Sequence, residues 1–205
     1  MKTIVHPTYF PSVSNYVAIA QSTKLVLEFE DNFQKQTNRT RMYIYSPNGA
    51  QLLTIPVKHS HQKHQKTKDV LIENDFDWQK QHFKSLEAAY RSSPFFEYFE
   101  DDLIGIFQKK HCFLIDLHLE SMEFIARSLR LPLVHDKSTI YHKELENTCD
   151  YRHLADGKKD KNVFENYPQV FKEKEGFLNN LSVLDLIFNE GKFALDYLKA
   201  QKIKL

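Results

Sequence analysis

Apolar positions in the first half of the chain recur mostly at short, strand-like intervals. Residues 3–6 form a brief apolar run stopped by Pro7 and Pro11, which cannot donate to a ladder. Ser14 can cap a short helix over 15–21, and residues 24–30 alternate apolar and polar side chains as a half-buried strand does. Two further runs, 41–45 and 51–57, flank Ser46-Pro47-Asn48-Gly49, which predicts a β-hairpin. Residues 69–73 add one more short strand, for a sheet of about five members.

From Asp77 onward the spacing changes to three and four residues. Asp77 can cap a helix running through Arg91, Ser93-Pro94 restarts a second helix to about Phe107, and a third is predicted over 112–129 before Pro132. Two stretches lack periodicity. Residues 58–68 carry His59, His61 and His64 among lysines and glutamines and read as a solvated loop, to which no metal is assigned because neither Cys nor a matching carboxylate accompanies them. Residues 143–166 are rich in charge and read as a long surface loop of the kind that often serves as a lid.

Length and composition narrow the class. A chain of 205 residues, 41% hydrophobic, with sixteen Phe and ten Tyr but only five Gly, can bury a substantial core and is expected to form a single domain over 1–205. Lys and Arg number 28 against 27 Asp and Glu, so no net field draws it to nucleic acid. The N-terminal segment lacks a secretory signal, no stretch approaches a membrane span, and Cys112 and Cys149 read as free thiols, which together predict a cytoplasmic protein. No nucleophile elbow, Walker loop, dinucleotide fingerprint or zinc spacing occurs, so no cofactor is named.

Three groups of residues can carry chemistry. Lys35, Gln36, Arg39 and Arg41 lie on the approach to the hairpin, where an extended backbone would turn both guanidinium forks to one face for a phosphate or carboxylate. The plainer alternative is that they keep a sheet edge soluble. Trp78, His82, Leu86 and Tyr90 recur every four residues on one helical face, which can line a sugar cleft with His82 as general base, or simply be core. Ser182 and Asp185 fit a capping box at a helix start, where Asn180 and Ser182 can instead hold an anion; Asp185 and Asn189 share a face of that helix.

The segment Gly176-Phe177-Leu178-Asn179-Asn180-Leu181-Ser182-Val183-Leu184-Asp185 and its continuation to Gly191 resembles a signature of the WbqC-like family. So do Tyr167-Pro168-Gln169-Val170-Phe171, the Lys35-Gln36-Thr37 stretch with its Arg-x-Arg pair, and Trp78, His82 and Tyr90 with Ser93-Pro94-Phe95-Phe96. The N-terminal His6-Pro7 element is a looser match than the His-Gln-Pro of many relatives, and His118 stands where relatives look to have Asn; neither is assigned chemistry. The resemblance implies an α/β fold with a mixed sheet from the N-terminal half packed against C-terminal helices. It also implies group transfer in surface-polysaccharide (O-antigen) precursor synthesis, including aminoacyl or glycyl transfer to an amino sugar. On that reading His82 and Asp185 are catalytic, while Lys35, Gln36, Arg39, Arg41, Trp78, Tyr90, Gln169, Asn180, Ser182 and Asn189 bind a small-molecule substrate such as a nucleotide-sugar. The alternative is a non-catalytic protein that binds a nucleotide-sugar or glycan intermediate.

Overall fold

The structure, a computed structural model, describes residues 1–60 and 63–204. It has the α/β architecture the sequence implies, with strands β1 (Lys2–Val5), β2 (Lys24–Leu27), β3 (Arg41–Ser46), β4 (Gly49–Thr54), β5 (His135–Lys137) and β6 (Cys149–Asp150). The helices are α1 (Val13–Ala20), α2 (Trp78–Tyr90), α3 (Phe96–Gln108), α4 (Leu114–Ser128), α5 (Lys172–Glu175), α6 (Val183–Glu190) and α7 (Ala194–Ala200). Among the described residues no helix is long and apolar enough to cross a membrane.

The strands do not form the single sheet of about five expected from the N-terminal half. Four of them make a parallel sheet in the order β5-β2-β1-β6, and β3 and β4 stand apart as an antiparallel hairpin with Ser46 opposite Gly49. The hairpin turn therefore falls on Pro47 and Asn48, where the sequence places it, and Gly49 takes the positive φ of 90°. Strands β5 and β6 come from 135–150, where three and two residues (His-Asp-Lys and Cys-Asp) give no period to read. They are strands because their backbones pair in parallel with β2 and β1. So Cys149, expected in a polar loop, is buried in a strand, and the 143–166 loop carries β6 and a 3-10 turn over Arg152–Ala155. Residues 69–73 likewise form no sheet strand: a 3-10 turn at Thr67–Asp69 precedes two isolated bridges, Val57 with Ile72 and Leu71 with Phe113.

The helices follow their apolar spacing closely. In α4, Leu114, Leu117, Met122 and Ile125 turn inward, and Arg127 in the last turn complements the helix dipole. Helix α1 starts at Val13, two residues earlier than Ser14 would set it, with Ser12 at the cap position but making no side-chain cap; the Ser14 amide is taken instead by the Asn180 side chain at 2.9 Å. The core is continuous from β1 and α1 through α2, α3 and α4 to α6, with the rings of Tyr9, Phe10, Phe96 and Phe188 fully buried. Among the largest fully buried side chains is one charged group, Arg39.

Candidate functional site

The strand order fixes where a ligand can approach. From β1 the chain moves outward to β2 and β5, then returns to place β6 on the opposite flank of β1. In open parallel sheets the crevice at the carboxyl ends of the strands, where the order reverses, is the usual ligand site. Here that crevice is a cleft of about 270 Å³ lined by His6, just after β1, by Asp150 and Arg152 from β6 and its exit, and by Asp31, Arg39 and His153.

One wall is a buried charge cluster. Asp31 Oδ2 lies 3.1 Å from His6 Nε2 and accepts from Arg39 Nη2 at 2.9 Å. Arg39 is 1% exposed, and its Nη1 also donates to Thr37 Oγ1 at 3.3 Å. Beneath it His118 Nε2 reaches the Arg39 carbonyl at 2.5 Å. Burial lowers the His6 pKa, against the opposing pull of Asp31, so the ring is neutral near pH 7. Burial alone would raise the Asp31 carboxyl, but His6 and Arg39 outweigh it and hold the pKa below its ordinary value. With Asp31 ordering Nε2, the lone pair of this neutral imidazole sits on Nδ1, which is buried and has no hydrogen-bond partner among the described residues.

The other wall is built by Arg152. Its Nε and Nη2 fork onto Asp150 at 2.9 and 2.6 Å, Nη1 reaches Glu28 Oε2 at 3.2 Å, and the remaining donors hold the His142 and Lys143 carbonyls. The Tyr141 ring lies 4.8 Å from its guanidinium carbon. Glu28, just past β2, also accepts from Ser138 Oγ after β5 at 2.6 Å. A single guanidinium thus ties the exits of β2 and β6 to the 141–143 segment and has no donor left for a ligand.

The residues singled out by sequence fall into separate places. Arg39 and Arg41 do not converge: residues 35–40 form turns rather than extended backbone, with Gln36 at φ 61° and Thr40 N bonded to Thr37 O. Arg39 consequently faces Asp31, whereas Arg41 lines a second cleft, of about 320 Å³, with Gln36 and Asn180. Lys35 lines a third, of about 440 Å³, together with His59 and His64; His61 lies outside the described residues. His82 is in the core, 5% exposed, between Trp78 and Tyr9, whose hydroxyl is 2.9 Å from His82 Nδ1. Burial lowers its pKa to about 4.

Asp185 does not reach back as a capping box requires; Ser182 caps α6 alone, with Oγ accepting from Leu184 N, while its own amide donates to Tyr43 O. The Asp185 carboxylate points into the core and accepts from Tyr167 Oη at 2.7 Å and Gln169 Nε2 at 2.8 Å. Tyr90 is also in hydrogen-bond contact with it, and Asn189 Nδ2 donates to its carbonyl. Tyr90, Gln169, Asp185 and Asn189 are therefore brought together, but in a sealed network. Burial outweighs these donors and raises the Asp185 pKa to about 6.

Sequence reasoning passed over Glu28, Asp31, Asp150 and Arg152, and assigned no chemistry to His6 and His118. The readable signal was positional: His6 and Glu28 are the first residues after apolar strand runs, where side chains emerge at a sheet edge.

A model of the WbqC-like protein family matches residues 6–158 of the chain. That span contains all six residues named as lining the His6 cleft and ends before the 176–191 segment. A relative, the uncharacterized protein Rv1507c of Mycobacterium tuberculosis (strain ATCC 25618 / H37Rv), is 27% identical over 237 residues, covering 96% of each chain. No solved structure matches.

Proposed function

The chain belongs to the WbqC-like protein family, and we propose that it is a small-molecule group transferase with its reaction centre at the carboxyl edge of the parallel sheet. The observation that carries this reading is the His6–Asp31 pair, buried against Arg39 in the cleft where the strand order reverses. A carboxylate that holds one imidazole nitrogen and leaves the other free is the arrangement of a general base with its orienting group. His6 Nδ1 would take the proton from an amine or hydroxyl of the acceptor as that atom bonds to the group being transferred; the bond from that group to the donor breaks, and the donor's leaving group departs with the electron pair and can take the proton back from His6. Asp31 would stabilise the imidazolium that forms. Lys143 and Lys159, the latter 3.6 Å from Asp156, are exposed at the cleft and would supply positive charge for the phosphates of a nucleotide-sugar acceptor. A nucleotide-sugar in polysaccharide-precursor synthesis, with an aminoacyl group delivered to an amino sugar, fits both this charge pattern and the family resemblance. In this reading the base is His6 rather than the core residue His82.

The second reading is a non-catalytic protein that binds a nucleotide-sugar or glycan intermediate. It is favoured by the burial of His6 Nδ1, which a reacting acceptor would have to reach. Incubation of the purified protein with nucleotide-sugars and aminoacyl donors, followed by mass spectrometry of products and by calorimetric binding, separates the two. Turnover lost in His6→Gln with binding retained supports the transferase. Turnover unchanged in that variant removes His6 from the mechanism, and binding without product across the panel favours the binding protein.

A further inference from the structure

The Arg41 cleft is distinct from the His6 cleft yet shares its framework. Both flank the 36–41 turn and the 156–160 turn: Asp156 and Lys159 line the His6 cleft, Gly157, Lys158 and Asp160 the Arg41 cleft. The two turns are joined by Asn38 N donating to Ala155 O at 2.8 Å.

The polar groups around the Arg41 cleft divide into two sets. One is locked. Asp160 accepts from Asn162 N and Nδ2 and from Asn180 Nδ2, the last at 2.7 Å; Asn180 Oδ1 is taken by Ser14 N, and Asn179 spans Phe164 N and Asn162 O. The Asp160 charge is thus met by amide donors that also immobilise the wall. The other set is unengaged. The Gln36 and Asn38 side-chain amides have no hydrogen bond among the described residues, and neither Lys158 nor Arg41 has an ion pair there. Arg41 makes one contact, Nη1 to the Gln36 carbonyl at 3.3 Å, and its Nε is buried with no partner. A guanidinium partly withdrawn from water without a carboxylate is incomplete by the rule that buried polar groups are paired. An anion in the cleft would complete it.

We propose that this cleft is a second ligand site, for an anionic group carried on a polyhydroxylated body such as a hexose phosphate. Arg41 forks onto the anion with Lys158 beside it, and the amides of Gln36 and Asn38 each offer a donor and an acceptor to hydroxyls. The site is independent of whether the His6 cleft performs transfer.

Calorimetric titration with glucose 1-phosphate, glucuronate, glucose and inorganic phosphate tests it, with amide NMR shifts locating each ligand. Glucose 1-phosphate or glucuronate should bind saturably and shift the Asn38, Gly157 and Asn180 amides, with glucose and inorganic phosphate weaker; which of the first two binds tighter tells phosphate from carboxylate. Arg41→Gln should weaken binding by about tenfold or more, the order expected for a charge-assisted pair. Arg41→Lys, which keeps charge and loses the fork, should fall between, and His6→Gln should bind as the parent does. Undiminished binding in Arg41→Gln overturns the proposal. So do glucose binding as tightly as its phosphate, inorganic phosphate matching glucose 1-phosphate, shifts confined to the His6 cleft, or no saturable binding of any probe.

Discussion

Lowering the pH from 7 to 5 should destabilise the protein through its buried imidazoles. His82 and His118 have pKa values lowered to about 4 and about 3, in both cases chiefly by burial. An unfolded chain protonates both near 6.5, so between that value and pH 5 it binds protons that the fold refuses. One and a half pH units at about 1.4 kcal/mol each is roughly 2 kcal/mol per histidine. Asp185 opposes them. Its carboxyl titrates at about 6 in the fold, against 3.8 for the ordinary group, so the fold takes up a proton over the unit from 6 to 5 and regains roughly 1 kcal/mol. The balance is a net loss of roughly 2–3 kcal/mol at pH 5, or about 5–10 °C in Tm for a chain of this size. His6, whose pKa burial also lowers, acts in the same direction. Urea unfolding followed by circular dichroism at pH 7, 6 and 5 measures this directly, with the slope m held constant. In His82→Gln the stability at pH 7 should fall, because the Tyr9 hydroxyl loses its partner, but the difference between pH 7 and 5 should shrink by roughly 2 kcal/mol. Equal stability at the two pH values, or an undiminished difference in the variant, would refute the argument that these rings stay neutral in the fold.

Asp31→Asn leaves Arg39 as a buried cation without its counter-ion and should cost about 3–5 kcal/mol in denaturant unfolding; a loss under about 1 kcal/mol would show that the pair does not hold this wall. Gly191→Ala should destabilise by about 2 kcal/mol or more, since Gly191 has φ 53° and an added Cβ would sit 2.7 Å from the Phe95 ring; a Tm within a degree of the parent contradicts this. Arg152→Lys keeps the charge but loses the fork onto Asp150 and the carbonyl contacts at 142 and 143, so amide exchange over 141–144 should accelerate several-fold relative to the core helices.

Elements whose stability is local were legible in the sequence. The hairpin announces itself through Pro47-Asn48-Gly49, and α2, α3 and α4 through apolar spacing, because these features act within a few residues. Strands β5 and β6 were not legible, since their only reason to be strands is pairing with β2 and β1, more than a hundred residues earlier. The same distance hid the Glu28–Arg152 contact, and with it the cleft. Arg39 and Arg41 show a subtler failure. Their alternation is strand-like, but Gln36 in the left-handed region winds the approach into turns and sends the two guanidinium groups to different clefts.

The C-terminal polar segment shows why residue type alone did not rank the candidate sites. Asp185, Gln169, Tyr167 and Tyr90 are as polar as any catalytic group, yet they bond chiefly to one another, across α2, α6 and the 167–169 segment. Such a network fixes how the elements dock, because a half-satisfied buried carboxylate costs more than an apolar neighbour would. A ligand site has the opposite character: its groups are held in place but not all are satisfied. His6 Nδ1 and Arg41 Nε meet that condition, and each belongs to a side chain lining a cleft. Asp185 Oδ1 is likewise without a hydrogen-bond partner among the described residues, but Asp185 lines none of the clefts described. Incomplete bonding beside accessible volume therefore separates the two clefts from the core network, and the distinction depends on strand order and turn geometry rather than on which residues are polar.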